Sequence, residues 1–375
     1  MTAENGRRTV LIAGGGTGGH LTPALAIAAA LEAHGELEPV LVGAVRGVEA
    51  RILPNRDYRY HLLPSEPIYR RQWWKNFRWP MLAGHLLRGV DELLRTERPA
   101  AVLGTGGYAS APVVWRAARG GLPTAIQEQN AYPGLATRWL SRRVRHVYLG
   151  LPESRKLLRF GRGTEVFETG NPIVPPTPER RPHALKLFGL DPGSRVLLVT
   201  GGSQGALAIN RVVAAWLEGG GPRGACVIWV TGRGTYEEFR RFHHPPRIQV
   251  IDYLDPMADG YAVADVVISR AGMMTVAELC AWGLPSILIP LPSAAADHQT
   301  HNARVLARAG AAVLLPQSEL TPERLGEAAE RLVSEDGTRE AMAKQAQARG
   351  KPEAAREIVS NLLTLVDRAP LFENP

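Results

Sequence analysis

One short construction occurs twice in this chain, once in each half, and it limits the fold more than any other feature. Residues 10–19 read VLIAGGGTGG and residues 196–205 read VLLVTGGSQG. Each is an apolar run of strand length, a glycine cluster, and then a helical pattern. Elsewhere the same alternation continues, as PVLVG before GVEARIL, AAVLGTGG before SAPVVWRAARGG, and DVVISRAG before TVAELCAWG. Near-continuous apolar strands separated by helices predict βα units around parallel sheets, buried on both faces. The expected class is therefore α/β, with two Rossmann-like domains.

Length and composition agree with two domains. At roughly 150 residues per domain, 375 residues amount to about two and a half. Between the halves the texture changes, and GNPIVPPTPERRPHAL carries five prolines that interrupt either kind of element. The expected boundaries are 1–163 for the first domain, 164–194 for a linker and the start of the second, 195–350 for the second, and 351–375 for a helical tail packing back on the first. Only two cysteines occur, Cys226 and Cys280, with no metal-ligand spacing, so neither a disulfide scaffold nor a zinc site is expected. No apolar run is long enough to span a bilayer, and the start lacks a signal-peptide pattern, which predicts a cytoplasmic location.

The glycine clusters point to an anionic ligand. Gly14-x-Gly16-x-x-Gly19 satisfies the dinucleotide fingerprint, in which glycines let backbone N–H groups approach a pyrophosphate at a helix N-terminus. Thr22 and Pro23 suit the first turn of that helix. The acidic residue expected about 20 positions on would be Glu36 or Glu38, both in a predicted turn. An NAD(P)-dependent oxidoreductase using the loop of residues 14–19 is thus one alternative. His20, beside the same loop, has the chemistry of a general base near neutral pH. In the second half Ser203 can donate to a phosphate oxygen, and SRAG ends another strand. The helix predicted after Thr275 carries Glu278, either as a helix-dipole device or as a clamp on a ribose diol. Two sets of glycine turns predict one ligand held between two domains, which a single dinucleotide fold does not require. GxxxxGK[ST], HExxH and Asp-x-Asp are all missing, so P-loop, zincin and Asp-x-Asp transferase chemistry lack their signatures.

The net charge of +8 is partly concentrated. Between Tyr69 and Arg88 there are five Lys/Arg and no acidic residue, interleaved with Trp73, Trp74, Phe77 and Trp79. Such a mixture suits an anionic headgroup interface, stacked single strands, or tryptophans in a core ringed by solvated arginines.

Seven blocks in order, GGGTGGH, GTGGYAS, EQN (Glu128–Asn130), GNP, GGSQGA, SRAGMMTVAEL and DHQTHNA, closely resemble the MurG family. The resemblance implies a GT-B glycosyltransferase with two Rossmann-like domains facing a cleft. It implies transfer of GlcNAc from UDP-GlcNAc to undecaprenyl-pyrophosphoryl-MurNAc-pentapeptide, lipid I to lipid II, with inversion and with no metal or other cofactor. Carried over by motif, His20 is the candidate base, and Asn130 lies near the reacting hydroxyl. Thr17, Gly18 and Gly19 line the diphosphate site, with Gly16, Gly107 and Tyr108 on the acceptor side. Ser203 meets the donor phosphates and Leu254 the uracil. Met273, Met274 and Thr275 line the donor pocket, Glu278 holds the ribose, and Gln299, with Asp297 and His298, reads the sugar hydroxyls. A lipid-anchored acceptor favours membrane docking for Trp73, Trp74, Phe77 and Trp79, at the cytoplasmic face of an anionic membrane, and no nucleic acid as partner. Two positions depart from the family pattern. Gln127 stands where His is frequent, and Val174 where Arg is frequent, leaving Arg180 or Arg270 to meet a phosphate.

Overall fold

Strand β1 (Arg8–Gly14) shows how the apolar runs become a doubly covered sheet. Its side chains alternate between faces. Val10 and Ile12 enter one layer with Ile27 and Leu31, whereas Leu11 and Ala13 enter the other with Val90, Val113 and Val114. Both layers are fully buried, which is why the run is apolar at every position.

The computed structural model describes residues 7–66, 79–202 and 205–368. Two units emerge: Met1–Ile173 with Glu353–Pro375, and Val174–Pro352. In the first unit β1 is followed by α1 (Gly18–His34), β2 (Leu37–Ala44), α2 (Glu49–Ile52), β3 (Arg59–Leu63) and α3 (Trp79–Glu97). Then come β4 (Ala101–Gly106), α4 (Ser110–Arg119), β5 (Thr124–Glu128), α5 (Leu135–Leu140), β6 (His146–Leu149) and β7 (Glu165–Phe167). The sheet order is β3-β2-β1-β4-β5-β6-β7, and every pairing is parallel. Strand β7 lies inside the stretch 164–194, so that stretch begins as a sheet edge and changes unit only after Ile173.

The second unit runs α6 (Arg181–Leu187), β8 (Val196–Thr200), α7 (Leu207–Glu218), β9 (Cys226–Val230), α8 (Tyr236–Phe239) and β10 (Ile248–Ile251). It continues with α9 (Ala258–Val263), β11 (Val266–Ser269), α10 (Met273–Trp282), β12 (Ser286–Leu288), α11 (His298–Arg308) and β13 (Val313–Leu314). Helices α12 (Pro322–Ser334) and α13 (Asp336–Arg349) complete it. Its sheet order is β10-β9-β8-β11-β12-β13, again all parallel. The last helix, α14 (Ala354–Asp367), belongs to the first unit, where Ile358, Val359, Leu362, Leu365 and Val366 pack with Ala24, Ile27, Ala28 and Leu31 of α1. Among the described residues no helix is long and apolar enough to cross a membrane.

Two helix starts differ from the sequence expectation. Helix α1 begins at Gly18, so Pro23 sits inside it, one turn later than a first-turn proline. Helix α10 begins at Met273 after Gly272, which brings Met273–Thr275 into its first turn.

Candidate active site

In both sheets the chain reverses its direction of winding between two neighbouring strands, β1 and β4 in the first unit and β8 and β11 in the second. Ligands of doubly wound folds bind outside the carboxyl ends of such strands. In the first unit two glycine loops meet there. Gly107 has φ +82°, and a Cβ on it would lie 1.9 Å from the Gly15 carbonyl oxygen, so only glycine lets the β4 loop touch the β1 loop. Gly16 has φ +91° and lies under the Tyr108 ring, 2.5 Å from where its Cβ would be. Beyond this contact Thr17, Gly18 and Gly19 are exposed at the start of α1.

His20 is anchored from β4. Its Nδ1 lies 3.1 Å from the Thr105 carbonyl oxygen, and Thr105 Oγ1 donates to the His20 carbonyl at 2.9 Å. A carbonyl only accepts, so Nδ1 carries the proton and Nε2 is the basic nitrogen of the neutral ring. Gln129 Nε2 donates to the same Thr105 oxygen at 2.7 Å, tying the end of β5 to this anchor. Asn130 follows, and both its N–H (3.0 Å) and its Nδ2 (3.3 Å) donate to Glu128 Oε1, while Gly134 N–H donates to Oε2 at 3.1 Å. Glu128 thus orients Asn130. Gln127 is buried and structural: Nε2 donates to Asn171 Oδ1 at 2.9 Å, and its own carbonyl accepts from Gln129.

In the second unit Gly202 (φ +80°) and Gly205 (φ +71°) form the turn after β8, and a Cβ on Gly205 would meet the Thr231 carbonyl at 2.3 Å. Ser203, between them, lies outside the described residues. Met273, Met274 and Thr275 open α10, and Glu278 follows one turn on. Burial pushes the Glu278 carboxyl above its ordinary range, and a hydrogen bond from the Tyr261 hydroxyl (2.9 Å) opposes that shift. Tyr261 is itself buried on α9, which raises its phenol pKa well above normal. Leu254 lies between β10 and α9, beside Gly260. The side-chain carbonyl of Gln299 accepts from Leu291 N–H at 2.9 Å, His298 Nδ1 bonds the Ala295 carbonyl at 2.8 Å, and Asp297 Oδ1 accepts from Thr300.

Of the two arginines considered for the phosphate, Arg180 is committed elsewhere. Its Nε and Nη2 bind the carboxylate of buried Asp259 at 2.7 and 3.0 Å. Arg270 follows β11, with Nη1 held by the Ile289 and Pro290 carbonyls, each at 3.2 Å, and burial lowers its pKa. Val174 is 74% exposed.

The dinucleotide reading of the first loop is corrected here. Gly16 N–H, which such a ligand would need, instead donates to both oxygens of Glu49, at 3.0 and 2.9 Å. Glu38 lies at the amino end of β2, away from the ligand end, and pairs with Arg59 at 3.4 Å. Sequence reasoning missed Glu49, Glu128 and Tyr261 as the side chains that hold Gly16, Asn130 and Glu278. Only Glu128 carried a local signal, its place in EQN. Trp73, Trp74 and Phe77 lie outside the described residues, and Trp79 opens α3.

The glycosyltransferase family 28 N-terminal domain matches residues 10–149, and the family's C-terminal domain matches residues 196–358. A transferase of Desulforamulus reducens named for UDP-N-acetylglucosamine and N-acetylmuramyl-(pentapeptide) pyrophosphoryl-undecaprenol is 38% identical, covering 96% of this chain and 99% of its own length. Its namesake in Carboxydothermus hydrogenoformans is 40% identical, over 84% of this chain and 86% of its own. The crystal structure of Acinetobacter baumannii MurG superposes with a TM-score of 0.74 at 27% identity, covering 95% of this chain and 99% of that one. With two parallel sheets of the GT-B class, both family 28 domains, and relatives alike along almost the whole length, this chain belongs to the MurG family of glycosyltransferases.

Proposed function

We propose that this protein transfers GlcNAc from UDP-GlcNAc to the C4 hydroxyl of MurNAc in undecaprenyl-pyrophosphoryl-MurNAc-pentapeptide, lipid I to lipid II, by one in-line displacement with inversion and without a metal. The single observation that carries the mechanism is the Thr105 anchor, which leaves the basic nitrogen of His20 at Nε2. In this reading Nε2 takes the C4 hydroxyl proton as that oxygen attacks C1 of the GlcNAc. The bond from C1 to the β-phosphate oxygen breaks, its electron pair leaves with UDP, and attack from the opposite face inverts C1. Asn130, fixed by Glu128, orients the hydroxyl. Gly16, Gly107 and Tyr108 support the acceptor diphosphate beside Thr17–Gly19. The growing charge on UDP is met by Ser203, the α10 amino end at Met273–Thr275 and Arg270. Glu278 accepts from the ribose hydroxyls, Leu254 contacts uracil, and Gln299 reads the sugar.

Because the acceptor is a lipid, the reading includes docking on the cytoplasmic face of an anionic membrane. The basic tryptophan segment supports it, and α5 adds to it. Leu135 and Trp139 are 66% and 43% exposed one turn apart, and Arg143 lies 4.5 Å over the Trp139 ring.

Transfer of labelled GlcNAc to a lipid I analogue in EDTA, with the anomeric configuration of the product determined, tests the reaction. A β-linked product from the α-linked donor is expected in EDTA; a product formed only with added divalent metal sinks the metal-free step. Replacing His20 by Ala is expected to lower kcat by about 10²- to 10⁴-fold with UDP affinity unchanged, and a near-normal kcat removes His20 as the base.

A further inference from the structure

Glu49 is a fully buried carboxylate that the transfer mechanism above does not use. It is the first residue of the single-turn helix α2, five residues beyond the end of β2 at Ala44. Its Oε1 accepts from Ala44 N–H at 2.7 Å, and both oxygens accept from Gly16 N–H. A buried carboxylate is costly unless hydrogen bonds replace its lost water, and here backbone N–H groups do so. Three glycines make room for it. A Cβ at Gly15, Gly43 or Gly47 would come within 2.2, 2.3 or 2.1 Å of a Glu49 atom. Three chain segments are therefore shaped around one side chain: the β1 loop, the end of β2 and the turn before α2.

We infer that Glu49 is a positioning residue for the acceptor half of the reaction. Its carboxylate stands in for the anion that the β1 loop of a dinucleotide fold would bind, and it fixes Gly16 internally. The loop is thereby closed to a nucleotide and preset for a second task. Gly16 carries the Tyr108 ring on its other side, and four residues later the chain reaches His20. Pulling Gly16 toward β2 sets both the floor under Tyr108 and the start of α1 from which His20 projects. This assignment rests on the reading of His20 and Tyr108 as base and acceptor contact. The contacts of Glu49 all lie within the first unit, so the donor residues of the second unit are an internal control.

The test compares Glu49→Gln with Gly47→Ala. The first keeps the shape but turns an amide N–H₂ toward backbone donors. The second keeps the carboxylate and displaces it, at a glycine whose φ is not left-handed. Losing hydrogen bonds to a charged group predicts a fall of about 10- to 100-fold in kcat/KM for the acceptor in both variants. The KM for UDP-GlcNAc is expected to stay at the wild-type value. In ¹⁵N-labelled protein the Gly16 amide should move upfield and exchange faster in Glu49→Gln, a readout independent of turnover. Should Glu49→Gln fail to fold, Gly47→Ala decides alone. A variant with the Gly16 amide displaced but acceptor kcat/KM within threefold of wild type overturns the positioning role, as does an equal loss in donor and acceptor KM. Wild-type protein that makes no product at all fails the proposed reaction instead, and leaves the Gly16 amide shift as the test of the Glu49 contact.

Discussion

At the scale of single residues, several side chains of the candidate site are held by partners that are not their neighbours in sequence. Glu278 is the clearest case. Burial raises its pKa and the Tyr261 hydrogen bond opposes the rise, so removing the phenol leaves the carboxyl easier to protonate. Tyr261→Phe is expected to raise the KM for UDP-GlcNAc about 3- to 10-fold. It should also move the acidic limb of donor binding to higher pH, measured as KM against pH. An unchanged KM would detach Tyr261 from the donor. His146 gives a stability prediction. It is 3% exposed beside Tyr148 and Phe167, and burial is the main cause that lowers its pKa below 6.5. Between that lowered value and about 6.5 the unfolded chain binds a proton that the folded chain does not. Stability therefore falls as pH drops below about 6.5 and levels off once the folded pKa is passed. Urea denaturation at a series of pH values should show this slope flattened in His146→Gln.

At the scale of elements, the glycine loops and α14 were legible to different degrees. The loops announced themselves, because a left-handed φ or a backbone contact, as at Gly107 and Gly205, admits only glycine. EQN stood out as a block, but its inner wiring did not. That Gln129 reaches across to the Thr105 carbonyl, and Asn171 back to the Gln129 carbonyl, depends on which strands became neighbours. The terminal helix was legible as a helix. What it covers was fixed by packing, since its apolar stripe completes the layer over β1 and α1. Leu362 is fully buried in that layer. Leu362→Ala is expected to cost about 2–5 kcal/mol of stability, read as loss of amide protection in α1 and α14, and a loss below 1 kcal/mol would mean that the stripe is peripheral.

At the scale of the whole molecule, a net charge of +8 and exposed aromatic side chains lead to a prediction about surfaces. Retention on vesicles of phosphatidylglycerol should exceed that on neutral vesicles and fall with salt, since exposed charges are screened over about 10 Å at 0.1 M. Trp73→Ala with Trp74→Ala should weaken retention, and Leu135→Ala with Trp139→Ala should weaken it further, while transfer to a short-chain acceptor persists. Equal loss of transfer to both acceptors would return these side chains to a folding role.

The sequence by itself determined the parallel α/β class, two glycine-turn units and the family, because strand-length apolar runs, obligatory glycines and ordered motifs are local signals. Tertiary structure alone decided that Gly16 serves an internal carboxylate rather than a nucleotide, that Tyr261 attends Glu278, and that Arg180 is bound to Asp259. Each of those pairs joins residues separated by 17 to 79 positions. A hydrogen bond between such partners leaves no periodic trace in the chain, since it exists only once the strand order has brought their carriers side by side.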